Sequence, residues 1–147
     1  MKLLLENGAE VNAKDLGLEY GSALLAASYR GNEAIVKLLL ENGAKVNAEG
    51  VIYGNALQAA SYMGNEAIMK LLLDNGAEIN AEGGIYGNAL QAASHSNEAV
   101  VKILLENGAE VNAKGGMHGN VLYAASYRGN EAIVKLLLEN GLVFFRS

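Results

Sequence analysis

The sequence predicts an all-α solenoid in which short helix pairs stack along one axis, and a repeat is the first observation behind this prediction. The seven residues N-G-A-E-V-N-A recur with small changes at intervals of 35, 33 and 32 residues, and another Asn-Gly follows after a further 33. The copies begin at Asn7, Asn42, Asn75 and Asn107, with an incomplete fifth at Asn140. A period near 33 residues is typical of units that each contact only their neighbours.

The second observation is one complete leucine-rich helix in each unit, with its own start and stop signals. Asn32 suits the N-cap, Glu33 lies where the helix dipole favours negative charge, and Gly43 suits the left-handed residue after a helix. Glu33, Lys37 and Glu41 form a polar stripe of alternating charge. The other positions are apolar around most of the circumference, so neighbours must cover both flanks of the helix.

The third observation is a shorter, alanine-rich helix that precedes each leucine-rich one. Its four copies begin near Ser22, Asn55, Asn88 and Asn120. Glycine is predicted to make the tight turn inside three of the pairs, at Gly31, Gly64 and Gly129. The third pair lacks this glycine and is one residue shorter over 94–97, so we expect a distorted turn there. Polar, glycine-containing links such as 46–53 are too short for another helix and are predicted to form extended fingers.

This order of helix, turn, helix, G-A-x-V-N-A and extended finger resembles the ankyrin repeat. The resemblance covers essentially the whole chain and implies about four and a half repeats, counting a partial second helix at 2–7. It implies one domain, 1–147, with units at about 1–13, 14–48, 49–81, 82–113 and 114–147. Where the family usually shows T-P-L-H, this chain has S-A-L-L, N-A-L-Q twice, and N-V-L-Y. Without that Pro and His, we expect a less rigid helix start, a lost loop-bracing hydrogen bond and more mobile fingers.

The composition argues against several other partners and locations. With 11 Lys and Arg against 16 Asp and Glu, the net charge is −5, so no general attraction to nucleic acid is available. The chain has no Cys, and Glu6 follows only three leucines, so neither a signal peptide nor a membrane span is predicted there. We therefore expect a cytoplasmic or nuclear protein with no membrane partner and no nucleic-acid partner.

No set of residues indicates catalysis, a metal site or a cofactor. His95 and His118 lie in different units, and His118 occupies a finger position that is Tyr in the two preceding units, which favours a structural role. The glycine clusters at 83–87 and 115–119 are not followed by the Lys-Ser/Thr pair of a phosphate loop, so finger glycines are the better interpretation. We expect no enzymatic activity, no metal and no cofactor.

Function is expected where the units differ, since the positions that all units share build the core. The differences are concentrated in the fingers and at the helix turns, and both regions line the concave face in ankyrin-like folds. Aliphatic residues together with Tyr and Arg are typical of an interface centre. We predict that the protein binds another protein, of unknown identity, through this face. The predicted binding residues are Glu19, Tyr29, Arg30, Val51, Ile52, Tyr62, Met63, Ile85, His95, Met117, Tyr127 and Arg128.

Two alternatives stay open at this stage. In the first, Ile52, Ile85 and Met117 pack against the neighbouring finger and have no partner. In the second, the chain is a self-stacking fragment of a longer array that associates end to end, because neither end carries a polar capping repeat and 142–145 is apolar. The segment Y-G-N-A-L-Q-A-A-S resembles ankyrin arrays of fungal multidomain proteins that carry immune-receptor-like NTPase domains, so the sensor or scaffold region of such a protein is one form of this alternative.

Overall fold

A computed structural model describes residues 8–13 and 21–141. The predicted partial helix at 2–7, the finger residues Leu16, Leu18 and Glu19, and the apolar segment 142–145 lie outside these ranges. Within the described ranges the chain forms eight helices, arranged as four helix–turn–helix pairs. The helices are α1 (Ala23–Arg30), α2 (Glu33–Glu41), α3 (Ala56–Met63), α4 (Glu66–Asp74), α5 (Ala89–Ala93), α6 (Glu98–Glu106), α7 (Val121–Tyr127) and α8 (Glu131–Glu139).

The first helix of each pair begins at a polar cap, as the sequence predicts. The Ser22 hydroxyl accepts a hydrogen bond from the Leu25 backbone N–H at 3.2 Å. The Asn55, Asn88 and Asn120 side chains accept the equivalent bonds at 2.9, 2.9 and 2.8 Å. Each cap satisfies a backbone donor that has no partner inside the helix. Ser and Asn therefore take over the capping role that Thr has in the family pattern.

The second helix of each pair begins at Asn and ends at an Asn-Gly pair. The Asn32 side chain accepts from the Ile35 N–H, and the backbone N–H of Ala44, three residues past the helix, donates to the Leu39 carbonyl at 2.9 Å. This return bond needs a left-handed residue in between, and Gly43 supplies it with φ +87°. The Asn-Gly pairs are therefore helix ends and not hairpin turns.

The third pair differs from the others at the position where the sequence lacks a glycine. Helix α5 has five residues, whereas α1 and α3 have eight. Its cap, Ser94, keeps right-handed helical dihedrals, and the chain turns through a bond from the Ser96 N–H to the Ala93 carbonyl at 2.9 Å. The predicted distorted turn is present, and it places His95 in the turn itself.

The core runs along the stack, between consecutive pairs. Buried leucine, isoleucine, valine and alanine side chains from all four pairs form one continuous cluster. The leucine-rich helices contribute one fully buried leucine each: Leu39, Leu72, Leu104 and Leu137. The L-L-L run predicts that Leu71 lies in the core, but Leu71 is only partly buried and packs against the edge of the core. Leu71 is half-buried at the junction with the preceding pair, while Leu72 has no exposed surface.

Asparagine side chains connect each unit to the next outside the core. The Asn47 amide donates to the Gly76 carbonyl at 3.2 Å, and its oxygen accepts from the Glu78 N–H at 2.9 Å. Asn12 and Asn80 make the same pair of bonds one unit earlier and one unit later. Asn112 donates to the Gly141 carbonyl at 3.1 Å. These residues are the last Asn of each N-G-A-E-V-N-A copy, so the motif is an inter-repeat connection.

The loss of the family histidine is partly compensated in the second pair. The Gln58 amide Nε2 donates to the carbonyl of Ala81, at the end of the same unit, at 3.4 Å. Gln58 holds the position that the family pattern gives to His, so a side-chain brace to the loop after the second helix is kept there with a different residue.

Candidate functional site

The three fingers within the described residues are tight, glycine-bounded loops. The backbone N–H of the first glycine donates to the carbonyl of the last in 50–54, 83–87 and 115–119, at 2.8, 3.0 and 2.9 Å. Three residues therefore lie between the two bounding glycines of each loop. The fingers carry isolated bridges, Gly83 with Gly87 and Lys114 with Asn120, in place of regular strands over the described residues.

Consecutive fingers are joined tip to tip through their backbones. The Ile85 N–H donates to the Ile52 carbonyl at 2.9 Å, and the Met117 N–H donates to the Ile85 carbonyl at 2.7 Å. The contact is so close that a Cβ on Gly84 would lie 2.5 Å from the Gly54 nitrogen and 2.6 Å from the Ile52 oxygen. Glycine is therefore required for finger stacking at this position, which supports the structural interpretation of the glycine clusters.

The side chains at the finger tips point away from this backbone ladder. Val51 is 66% exposed, Ile85 41% and Met117 60%. Ile52 is half-buried. The tips thus contact their neighbours through the backbone, and Ile52 is also partly covered by its surroundings. The side chains of Val51, Ile85 and Met117, by contrast, form a line of exposed aliphatic residues.

Aromatic residues form a row beside the finger tips, at the ends of the first helices. We call the eight residues Tyr29, Tyr53, Tyr62, Tyr86, His95, His118, Tyr123 and Tyr127 the aromatic row. The helix-end residue of one pair contacts the finger residue of the next, with ring centroids 4.5 Å apart for Tyr29 and Tyr53 and 4.6 Å for Tyr62 and Tyr86. These contacts bring the helix turns and the fingers, the two variable regions of the sequence, onto one surface.

The row becomes more exposed toward the fourth pair. Tyr86 is only 8% exposed, whereas Tyr123 and Tyr127 are 58% and 69% exposed. Burial, followed by the hydrogen bond with Tyr62, raises the pKa of Tyr86 far above its usual value. Tyr86 therefore stays a neutral phenol and acts in packing.

Exposed long side chains border the row at the helix turns. Arg30, Met63 and Arg128 are exposed, and Met63 has 49% of its surface accessible. Tyr29, Tyr62 and His95 are half-buried within the row. Except for Glu19, which lies outside the described ranges, the predicted binding residues thus occupy two adjoining features, the finger tips and the aromatic row with its borders.

Sequence reasoning missed the finger-side members of the row. Tyr53, Tyr86 and His118 were interpreted only as finger residues, and Tyr123 was treated as a departure from the family pattern. The available signal was that an aromatic residue stands two positions before each Asn that caps a first helix, and that another recurs at the end of the first helix. Two columns of aromatic residues at the same period must meet if the units stack.

No feature of the described residues indicates a reaction centre. No group of three or more His, Asp or Glu there could hold a metal ion. The depressions between successive second helices are shallow and repeat along the stack: Lys37, Leu40, Glu41, Leu71 and Asn75 line one, and Lys102, Leu105, Glu106, Leu136 and Asn140 line its equivalent. Over the same residues, no helix combines the length and the apolar character that a membrane crossing requires.

Stacked helix pairs with a shared core and looped fingers define a helical solenoid of the repeat-protein class. A family model described as ankyrin repeats (3 copies) matches residues 1–83, and one described as ankyrin repeats (many copies) matches residues 89–138. The chain therefore belongs to the ankyrin repeat family. None of the curated proteins compared with the chain matches it. Ankyrin repeats are generally protein–protein interaction modules, and proteins built from them are typically not enzymes.

Proposed function

We propose that this protein binds a partner protein through the finger tips and the aromatic row, the surface that corresponds to the concave face of an ankyrin array. The observation that supports this most directly is the line of exposed aliphatic side chains at Val51, Ile85 and Met117. The ladder of backbone bonds holds Ile85 and Met117 in place. A rigid apolar line loses little conformational freedom when a partner covers it.

The composition of the surface supports the same conclusion. Tyr, Met and Arg are enriched at interface centres, and all three are present here as Tyr127, Met63 and Arg128. By contrast, the exposed face of the second helices carries the Glu-Lys stripes, in which Glu33 and Lys37 pair at 3.6 Å. Such solvated charge pairs are depleted at interface centres. The finger side is therefore the favoured binding side.

The test compares two triple-lysine variants as baits in a lysate of the source organism. The first replaces exposed tip residues: Val51→Lys, Ile85→Lys and Met117→Lys. The matched control places the same charge on exposed positions of the second helices: Ala34→Lys, Ala67→Lys and Ala99→Lys. Circular dichroism establishes that both variants fold. Proteins retained by the wild-type chain are identified by mass spectrometry, purified and titrated against all three forms.

We expect the tip variant to bind a retained protein at least about tenfold more weakly, because apolar interface centres commonly contribute more than 1.4 kcal/mol. The control variant should bind it as the wild type does. Equal affinity of the tip variant and the wild type, or a larger loss in the control, would contradict a binding site on the finger side.

A second candidate function is end-to-end stacking within a longer array, and Leu138 favours it. Leu40, Leu73 and Leu105 occupy the same helix position and pack against the core, whereas Leu138 is 40% exposed. An added unit would cover it in the way that α4 covers Leu40. Light scattering of the wild type and of Leu138→Glu tests this candidate. End-to-end stacking requires that the average mass of the wild type rises with concentration and that the variant has a lower average mass at the same concentration.

A further inference from the structure

The two histidines of the chain occupy two aromatic columns of the repeat. The helix-end column contains Tyr29, Tyr62, His95 and Tyr127, and the finger column contains Tyr53, Tyr86 and His118. Each column is otherwise tyrosine. In the sequence the two histidines lie in different units.

The structure brings the two histidines into contact at one boundary. Helix-end and finger residues meet between consecutive pairs, and at the third boundary these are His95 and His118, with ring centroids 5.3 Å apart. The first two boundaries use tyrosine on both sides, at 4.5 and 4.6 Å. Both members of one contact pair have therefore been replaced by the one side chain that gains charge just below neutral pH.

The surroundings of the pair do not favour a positive charge. Nε2 of His95 and Nε2 of His118 are buried and have no hydrogen-bond partner among the described residues. The rings of Tyr62 and Tyr86 contact His95, and those of Tyr123 and Tyr127 contact His118. The charged group that acts on His95 is Arg128, which is itself positive. A proton on His95 Nε2 would place charge at a buried nitrogen that has no acceptor, beside a second imidazole and a guanidinium.

The third boundary also has less helix surface than the others. Helix α5 has five residues, whereas α3, its counterpart in the preceding pair, has eight. The packing of α5 against α7 is therefore limited to a shorter segment, and the ring contacts of the histidine pair form a larger share of what joins the fourth pair to the third.

We propose that this boundary is an acid-sensitive joint, at which protonation of His95 against His118 separates the fourth helix pair (α7 and α8) from the rest of the stack. The device is independent of the partner-binding proposal, since it concerns how the chain holds itself together. Repeat units bind mainly to their neighbours, so a single weakened boundary can open without unfolding the other pairs.

The direction of the pH dependence follows from the environment of His95. Burial, then the nearby His118 and Arg128, lower the pKa of His95 below its ordinary value of 6.5. The folded joint thus binds protons less readily than the open one. The stability that the neutral pair contributes is fully present above pH 6.5, and it is lost as the pH falls through the lowered pKa of His95. Carboxylates titrate at lower pH and are common to all four pairs.

The test measures amide hydrogen exchange helix by helix at about pH 7.5 and about pH 5, corrected for the intrinsic effect of pH on exchange. We expect protection in α7 and α8 to fall at least about tenfold more than protection in α3 and α4. The matched variant His95→Tyr with His118→Tyr restores the pair found at the other boundaries. In this variant, the fall in protection at low pH should be the same in α7 and α8 as in α3 and α4.

Moving the histidine pair to another boundary separates the effect of protonation from any loss of stability that the tyrosine substitutions themselves cause. In the double-tyrosine background, Tyr29→His with Tyr53→His moves the histidine pair to the first boundary. We expect acid sensitivity to appear in α1 and α2 and not in α7 and α8. The single variant His118→Tyr provides a second form with one imidazole, which should show an intermediate loss.

Two results would overturn the proposal. One is a wild-type chain whose four helix pairs lose protection equally at low pH. The other is a double-tyrosine variant in which α7 and α8 remain as acid-sensitive as in the wild type.

Discussion

Residues 26–43 and 124–141 are identical over eighteen positions, yet they lie at different places in the stack. Their local structure is the same. Helices α2 and α8 both have nine residues, begin with an asparagine cap and end at a glycine with φ near +90°. Gly43 and Gly141 each accept a hydrogen bond from the asparagine of the preceding unit, Asn12 and Asn112. Local sequence therefore determines the helices, their ends and their connection to the unit before.

Burial differs between the two segments although the sequence does not. Val36 is buried and Leu40 half-buried, whereas Val134 is half-buried and Leu138 is exposed. The order reverses on the other flank of the helix, because Ile35 is half-buried and its equivalent Ile133 is fully buried. Helix α2 packs against α4, which follows it, and α8 packs against α6, which precedes it. Neighbouring units, not the local sequence, decide which face of each helix is covered.

The largest effect tests the position at which the two segments agree. Leu39 and Leu137 are 1% and 0% exposed. Leu39→Ala and Leu137→Ala should each lower the free energy of unfolding by about 2 to 5 kcal/mol, because each leaves a cavity in the shared core. Urea unfolding followed by circular dichroism measures both changes. Leu71→Ala is the matched control and should cost less, since Leu71 is already half-exposed.

The comparison would break if Leu137→Ala cost much less than Leu39→Ala. Two equally buried leucines would then contribute different amounts to the free energy of unfolding, and the fourth pair would contribute less to stability than its burial indicates. That result would also indicate independent opening of the fourth pair at neutral pH.

A smaller effect tests the position at which the two segments differ. Leu40 packs beside Leu71 of the following unit, whereas Leu138 is 40% exposed. Leu40→Ala should cost about 1 kcal/mol, and Leu138→Ala under about 0.5, in proportion to the apolar surface that each removes from the core. The same urea experiment distinguishes them. A larger loss of stability for Leu138→Ala than for Leu40→Ala would contradict the conclusion that neighbouring units determine burial, because the more exposed of the two leucines would then contribute more.

Much of the fold could be predicted from the sequence because its signals are local and repeated. The caps at Asn32, Asn55 and their equivalents, the glycine ends of the second helices and the irregular third turn all follow from residue type and spacing. The error at Leu71 has a physical reason. In L-L-L all three residues are equally apolar, so composition cannot determine which one faces the middle of the core and which faces a neighbour.

The site could be predicted only in part because its features arise between units. The exposed tips Val51, Ile85 and Met117 were predicted, since variation between copies points to them. The asparagine connections, such as Asn47 to Gly76, and the meeting of His95 with His118 were not, because each joins residues about 23 to 33 positions apart. The repeat period shows that the units stack, but it does not determine which residues of neighbouring units come into contact. Only the three-dimensional structure shows that.

The smallest effect concerns the charged stripe, where both segments are solvated. Lys37 and Glu33 lie 3.6 Å apart, and Lys135 and Glu131 lie 3.1 Å apart, all with side chains about half-exposed or more. Double-mutant cycles with Glu→Gln and Lys→Met should give coupling energies of about 0.3 kcal/mol at both sites, since water and salt screen each pair. The cycle removes the separate effect of Glu on the helix dipole. A coupling above about 1 kcal/mol at one site alone would show that neighbouring units also control the solvent face, because the two stripes are identical in sequence and differ only in their position along the stack.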